Sequence, residues 1–120
     1  MEGQYQLRRT HDNAVIVANL ELATTFWQRF KGLQLRRQLR NDQGLLISPC
    51  SSLHTCFMRF PIDVTALDFE GTVLACRRDV KPWRVMLCPR ATYSIVETAN
   101  GAIDVKVGEQ LRAFAKSRNA

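Results

Sequence analysis

A chain of 120 residues fits one domain, and at that length folding buries roughly two thirds of the unfolded surface, so a core can form without disulfide staples. The residues are 46% hydrophobic and 23% charged, with no biased tract and no internal repeat, which excludes long disordered regions and repeat arrays. Seventeen basic residues against eleven acidic ones give a formal charge of +6, concentrated at Arg29, Lys31, Arg36, Arg37 and Arg40 and again at Arg77, Arg78, Lys81, Arg84 and Arg90; this admits an anionic partner but reads first as a solvated basic surface.

In chain order, Tyr5 to Arg9 and Ala14 to Leu22 flank the polar cluster Thr10-His11-Asp12-Asn13, a pattern that predicts an opening hairpin. Thr25 followed by Gln28 is a capping box, in which hydroxyl and amide satisfy the first free N–H groups of a helix. Phe26, Phe30 and Leu33 recur at spacings of four and three, with Trp27 beside them and Arg29, Lys31 and Arg36 off the stripe, so an amphipathic helix is expected to run to about Arg37. Gly32 inside it costs about 1 kcal/mol relative to alanine and implies a close approach to another backbone. Gly44 to Ser48 reads as a buried strand stopped by Pro49, and Leu53 to Phe60 as a short apolar stretch ending at Pro61. Ile62 to Phe69 and Thr72 to Arg77, joined through Glu70-Gly71, carry the clearest hairpin signal. After the interruption Lys81-Pro82-Trp83, short strands are expected at Val85 to Cys88, Tyr93 to Thr98 and Ile103 to Val107. Leu111 to Lys116 is either a last strand or a helical turn, and Ser117 to Ala120 should fray. The expected fold class is α+β: one domain over residues 1–120, with a curled or barrel-like, mostly antiparallel sheet and one prominent amphipathic helix.

No apolar run approaches the roughly 20 residues of a membrane span. Met1 to Arg9 carries Glu2, Gln4 and Gln6 where a secretory signal would be apolar, so a cytoplasmic location is expected. Cys50, Cys56, Cys76 and Cys88 contain no Cys-x-x-Cys pair, which leaves neither a zinc knuckle nor a thioredoxin-like motif. Reduced thiols are expected, with Cys56, Cys76 and Cys88 serving as small core hydrophobes.

The densest chemistry lies in Pro49-Cys50-Ser51-Ser52-Leu53-His54-Thr55-Cys56-Phe57-Met58-Arg59-Phe60-Pro61-Ile62-Asp63. Together with Arg29-Phe30-Lys31-Gly32-Leu33, Gly44-Leu45-Leu46, Leu67-Asp68-x-x-Gly71-x-Val73, Ala91, Val96-Glu97, Gly101 and Gly108, this segment resembles the domain of unknown function 192 family, a small uncharacterised bacterial and archaeal domain. The resemblance spans about Thr25 to Leu111. It implies a compact β-rich domain with one prominent helix and no established activity. Many members carry an export signal, which is not seen here, and the branch resembled replaces an aromatic-Met-Lys-Asn block by His54-Thr55, so extracytoplasmic placement is not carried over. Function has to be argued from the site.

Cys50, His54 and Met58 stand four residues apart, a soft thiolate, imidazole and thioether set suited to copper(I), provided the segment brings them to one face. The plainer alternative packs Met58 in the core, leaves Cys50 inert and has His54 and Thr55 bond backbone around a turn. A nucleophilic reading makes Cys50 and His54 catalytic, with Asp63 orienting the imidazole; the alternative has Asp63 capping local backbone donors. Arg29 and Glu97 could form a bidentate pair linking helix to sheet, or Arg29 with Arg59 and Arg90 could hold a small anionic ligand. Asp68 and Gly71 belong to the hairpin turn. A nucleic-acid reading rests on the +6 charge and on Trp27, Trp83 and Tyr93, of which Trp27 is assigned to the packed helix and Trp83 to an exposed stacking platform. No helix-turn-helix, zinc-finger or ribonucleoprotein motif supports it. The leading expectation is a ligand-binding or accessory domain with its pocket around His54, Thr55, Met58 and Asp63. An enzyme using Cys50 and His54 comes second, and a nucleic-acid or protein-interaction module third.

Overall fold

In the computed structural model the described residues are 4–25, 28, 29, 33, 36–50, 52–54 and 58–116, and the side chains of Leu53 and His54 lie outside them. The β-branched and apolar runs become nine strands among these residues: β1 Tyr5–Arg9, β2 Val15–Ala23, β3 Gln43–Ile47, β4 Ser52–His54, β5 Ile62–Leu67, β6 Val73–Val80, β7 Val85–Leu87, β8 Ser94–Ala99 and β9 Leu111–Ala115. Seven of them form one sheet in the order β6-β5-β8-β3-β2-β1-β9, and β4 pairs with β7 as a separate two-stranded ribbon. Only β2 and β3 run parallel, in keeping with the long connection between them; the other pairs are antiparallel.

The sheet is open, yet its outer strands touch at one end through the Thr72–Gln110 bridge. There the Leu111 N–H donates to Gly71 O at 2.9 Å. Gly71 has φ +86°, and a Cβ on it would fall 2.3 Å from Leu111 O, so only glycine allows this close approach.

Side chains on paired strands share a face, so the register sorts the interior into two sides. Leu20, Gly44, Thr98 and Asp63 form one row across four strands, and Glu21, Leu45, Glu97 and Val64 form the next row on the opposite face. The first face packs a cluster that includes Leu7, Leu20, Val73, Val96 and Leu111. The second packs Leu45, Ile47, Ile62, Val64 and Ile95 beneath Leu33, Met58 and Met86, with Cys50, Phe60 and Cys88 at its margin. Ile62 and Ile95 are fully buried, each contributing roughly 2–3 kcal/mol of transfer free energy.

The expected α+β class is corrected: the described residues are almost entirely β, and they contain no prominent helix. The capping box is real, since Thr25 Oγ1 accepts the Gln28 N–H at 3.2 Å while Gln28 Oε1 accepts the Thr25 N–H at 3.2 Å. Yet among the described residues only Gln28 and Arg29 are helical, Leu33 is a turn, and the expected stripe residues Phe26 and Phe30, with Trp27, Lys31 and Gly32, lie outside the described residues. Leu33 is buried in the second cluster and Arg36 pairs with Glu21, and neither position is helical, so the expected helix does not run on to Arg37. Ile103 to Val107 is likewise no strand; Ile103 and Val105 bury themselves in the first cluster from an irregular loop. Their alternation reflects two plug residues, not sheet pairing. Leu111 to Lys116 resolves to strand β9. Cys76 and Cys88 are half-buried against the two clusters, while Cys56 and the tail 117–120 lie outside the described residues. No helix among the described residues is long and apolar enough to cross a membrane.

Candidate functional site

Strand β8 is buried at every position, and Glu97 is the one charged side chain in it. Flanked in register by Leu45 on β3 and Val64 on β5, its carboxyl is placed in the second apolar layer. Burial pushes it up to about 7 from an ordinary 4.5, against the Arg36 guanidinium and the Leu33 backbone N–H, both of which favour the charged form. Arg36 reaches this row from above, where it pairs with Glu21 at 2.8 Å. Glu97 Oε1 is buried and has no hydrogen-bond partner among the described residues.

Cys50 lies at the margin of the same layer, its thiol donating to Ser52 O at 2.9 Å and its N–H donating to Tyr93 O at 2.7 Å. Burial raises this thiol above its ordinary range, and the Glu97 charge adds to the effect while Arg29 opposes it. Such a thiol rests protonated, whereas activated cysteines have lowered values. Cys88 is raised too, by burial and then by Cys50. Arg29 donates to Pro49 O at 3.0 Å, tying the capped turn to the segment that carries Cys50; its hydrogen bonds go to backbone carbonyls and not to Glu97. The electrostatic partner of Glu97 from this segment is Arg36, whose role sequence reading missed.

Asp63 has the opposite environment. It is fully buried on the other face of the sheet, and four donors converge on it. Its Oδ1 accepts the Asp79 N–H and the Asn100 amide, each at 2.9 Å, and its Oδ2 accepts the Gly101 N–H at 2.8 Å and Arg78 at 3.0 Å. Burial alone would raise this carboxyl, but the hydrogen bonds and the Arg78 charge outweigh it and hold the group below its ordinary value.

The structure therefore brings Glu97, Cys50 and the Arg29 turn to one layer and sends Asp63 to the other. Met58, 5% exposed, packs in the second cluster with Ile62 and Ile95. The backbone of His54 ends β4 opposite Val85, while Thr55 and the imidazole lie outside the described residues. Arg59 and Arg90 are exposed. Among the described residues no group of three or more His, Cys, Asp or Glu side chains gathers as a metal site. The signal for Glu97 was legible: one acid inside the otherwise uncharged run Ser94–Ala99.

The family model DUF192, described as "Uncharacterized ACR", matches residues 7–113. The chain belongs to this family. It is 31% identical over 105 residues to a UPF0127 protein of Thermococcus sibiricus, covering 81% of this chain and 67% of that one. The DUF192 fold recurs in a protein of unknown function from Novosphingobium aromaticivorans, with a TM-score of 0.76, 19% identity, and coverage of 90% of this chain and 82% of that one. It recurs again in a Sinorhizobium meliloti protein provisionally described as a transcription regulator, with a TM-score of 0.79, 20% identity, and coverage of 94% and 96%. At such identities the two structures share a fold with this DUF192 chain, and a shared fold names no reaction.

Proposed function

We propose that the chain is a ligand-binding module whose site is centred on Glu97, with Arg29, Arg36, Cys50 and Met58 from the surrounding layer. The observation that carries this reading is the buried Oε1 of Glu97 with no partner among the described residues. A buried polar atom without a hydrogen bond costs about 1–3 kcal/mol and calls for an explanation; for a carboxyl in an apolar layer, a bound group that donates to it supplies one. The occupant is a small anionic molecule that also carries an O–H or N–H: its charge is drawn to the Arg29 and Arg36 side and its hydrogen is donated to Oε1. Asp63 has no part in it, because its oxygens are already taken up by protein donors. A reducing, cytoplasmic setting suits the free thiols of Cys50, Cys76 and Cys88 among the described residues.

The test is native mass spectrometry of gently purified protein, followed by thermal-shift titration with small hydroxy and amino acids. A co-purifying species, or a stabilising acid, that is lost in Glu97→Gln supports the site. Wild-type protein that carries nothing and is stabilised by none of these acids, or binding that Glu97→Gln leaves intact, removes it.

A further inference from the structure

The two outer edges of the sheet are built differently. At the β6 edge, Arg78 and Asp79 together stand opposite Asp63, a bulge with Asp79 at φ +56° that spoils the regular pairing an added strand needs. The β9 edge has no such device: its register with β1 is unbroken from Leu111 to Ala115, and the strand contains no proline. Its flanking hydrogen bonds fix which way the backbone points. The Thr10 N–H donates to Gln110 O at 2.9 Å and the Lys116 N–H to Gln4 O at 3.0 Å, so between them Arg112 and Phe114 are the positions bonded to β1. Leu111, Ala113 and Ala115 turn their N–H and C=O groups the other way. Leu111 spends its N–H on Gly71 O, where the outer strands touch. Beyond that closure, no strand among the described residues covers Ala113 or Ala115.

This open edge borders a groove of about 420 Å³, floored by Leu7, Leu46, Leu67 and Leu111 on the side of the first cluster, away from Glu97. Phe69 and Tyr93 line it as well, 78% and 40% exposed and packed edge to face with ring centroids 5.0 Å apart. Free backbone donors and acceptors along an edge, beside an apolar trough, match an extended peptide whose main chain pairs with the edge and whose alternate side chains enter the trough. Its remaining side chains fall on the outer face, beside Arg112, whose exposed guanidinium has no hydrogen bond or ion pair with a described residue. Acidic side chains complement it there. Asp68 and Glu70 line the same groove and disfavour a free C-terminal carboxylate, so the segment is an internal one. The β9 strand of a second copy would offer the trough Ala113 and Ala115, side chains too small to fill it.

We propose that the β9 edge binds an extended internal segment of a partner protein, with apolar side chains at alternate positions in the groove and an acidic residue between them on Arg112. The test is an amide NMR titration of the full chain with a heptapeptide of alternating leucine and glutamate, blocked at both ends, and with its leucine and lysine counterpart. The glutamate peptide should shift the Ala113 and Ala115 amides saturably and protect them from hydrogen exchange, and the lysine peptide should bind about tenfold more weakly. Ala113→Pro removes an N–H that faces the gap and leaves the β1 ladder its bonds, since an edge tolerates proline where the lost N–H pointed outward. It should weaken the glutamate peptide about tenfold. Arg112→Glu, at an exposed position, should reverse the preference between the two peptides, and it keeps the test decisive if Ala113→Pro does not fold. No shift on β9 at about 1 mM glutamate peptide overturns the proposal. So does binding left unchanged by Arg112→Glu or by a folded Ala113→Pro. A dimer in sedimentation that Ala113→Pro turns into monomer overturns it too, because a second copy then occupies the edge.

Discussion

Asp63 and Glu97 are one residue apart in register on neighbouring strands, equally hidden from water, and chemically opposite. The difference is which side of the sheet each side chain takes. Asp63 faces the turn at Asn100–Gly101 and the bulge at Arg78–Asp79, where four donors converge on it. Glu97 faces an apolar layer, where one oxygen finds none. Burial sets the cost of charge in both cases, and the local donor supply decides whether that cost is met. The first carboxylate is fully partnered; the second keeps one buried oxygen without a partner among the described residues.

The largest expected effect comes from breaking the satisfied member. Asp63→Ala leaves two backbone N–H groups, an amide and a guanidinium without their acceptor, and should lower the unfolding free energy by about 3–5 kcal/mol in urea denaturation. A loss below about 1 kcal/mol, the range of an ordinary surface contact, would mean the network is not holding the β5, β6 and β8 ends together.

Next comes the pH dependence of Glu97. Because its folded value is raised from 4.5 to about 7, its contribution is fully present below about pH 4.5 and is lost as pH rises through 7. Over that window the wild type should lose stability on the order of 3 kcal/mol. Glu97→Gln should remove this slope, and equal slopes for the two proteins would contradict the assignment. Asp63 acts in the other sense: its folded value is lowered, so its contribution is present above its ordinary value and disappears only in acid.

A smaller effect is expected at Arg36. Arg36→Met removes the cation that favours charged Glu97, so the carboxyl should titrate still higher in carbon-detected NMR, with a stability loss of about 1 kcal/mol from the Glu21 pair. An unmoved Glu97 titration would exclude Arg36 as its electrostatic partner.

The smallest effect is the exposed control. Asp12 is held down at about 2, chiefly by its hydrogen bond from Arg9, yet it lies in solvent. Asp12→Ala should leave the urea midpoint where it is. If it destabilises as much as Asp63→Ala, burial is not what separates the carboxylates.

Much of this was legible beforehand. The opening hairpin, the Ile62 to Arg77 hairpin and the buried β3 follow from β-branched runs between turn residues, because alternation and turn chemistry act locally. The Thr25–Gln28 cap was also read correctly, but the helix expected to run to Arg37 is not present at Leu33 or Arg36, since apolar residues at helical spacing do not by themselves specify a helix. Ile103 to Val107 misled for a related reason: alternating burial arises from plugs as well as from strands. Glu97 was singled out as one half of a pair with Arg29, yet Arg29 spends its hydrogen bonds on the backbone and Arg36 takes the electrostatic role. Asp63 was grouped with His54 and Met58 because they are close in sequence, a proximity that says nothing about faces.

The sequence by itself determined the family, through blocks spread along the chain, together with most of the strands and the lone acid in a buried strand, because each block and strand is carried by residues within a few positions of one another. Only the tertiary structure decided that the sheet runs β6-β5-β8-β3-β2-β1-β9, and hence that Asp63 and Glu97 project to opposite sides. Strand order and register are set by contacts between segments far apart in the chain, and a shift of one position exchanges the two faces.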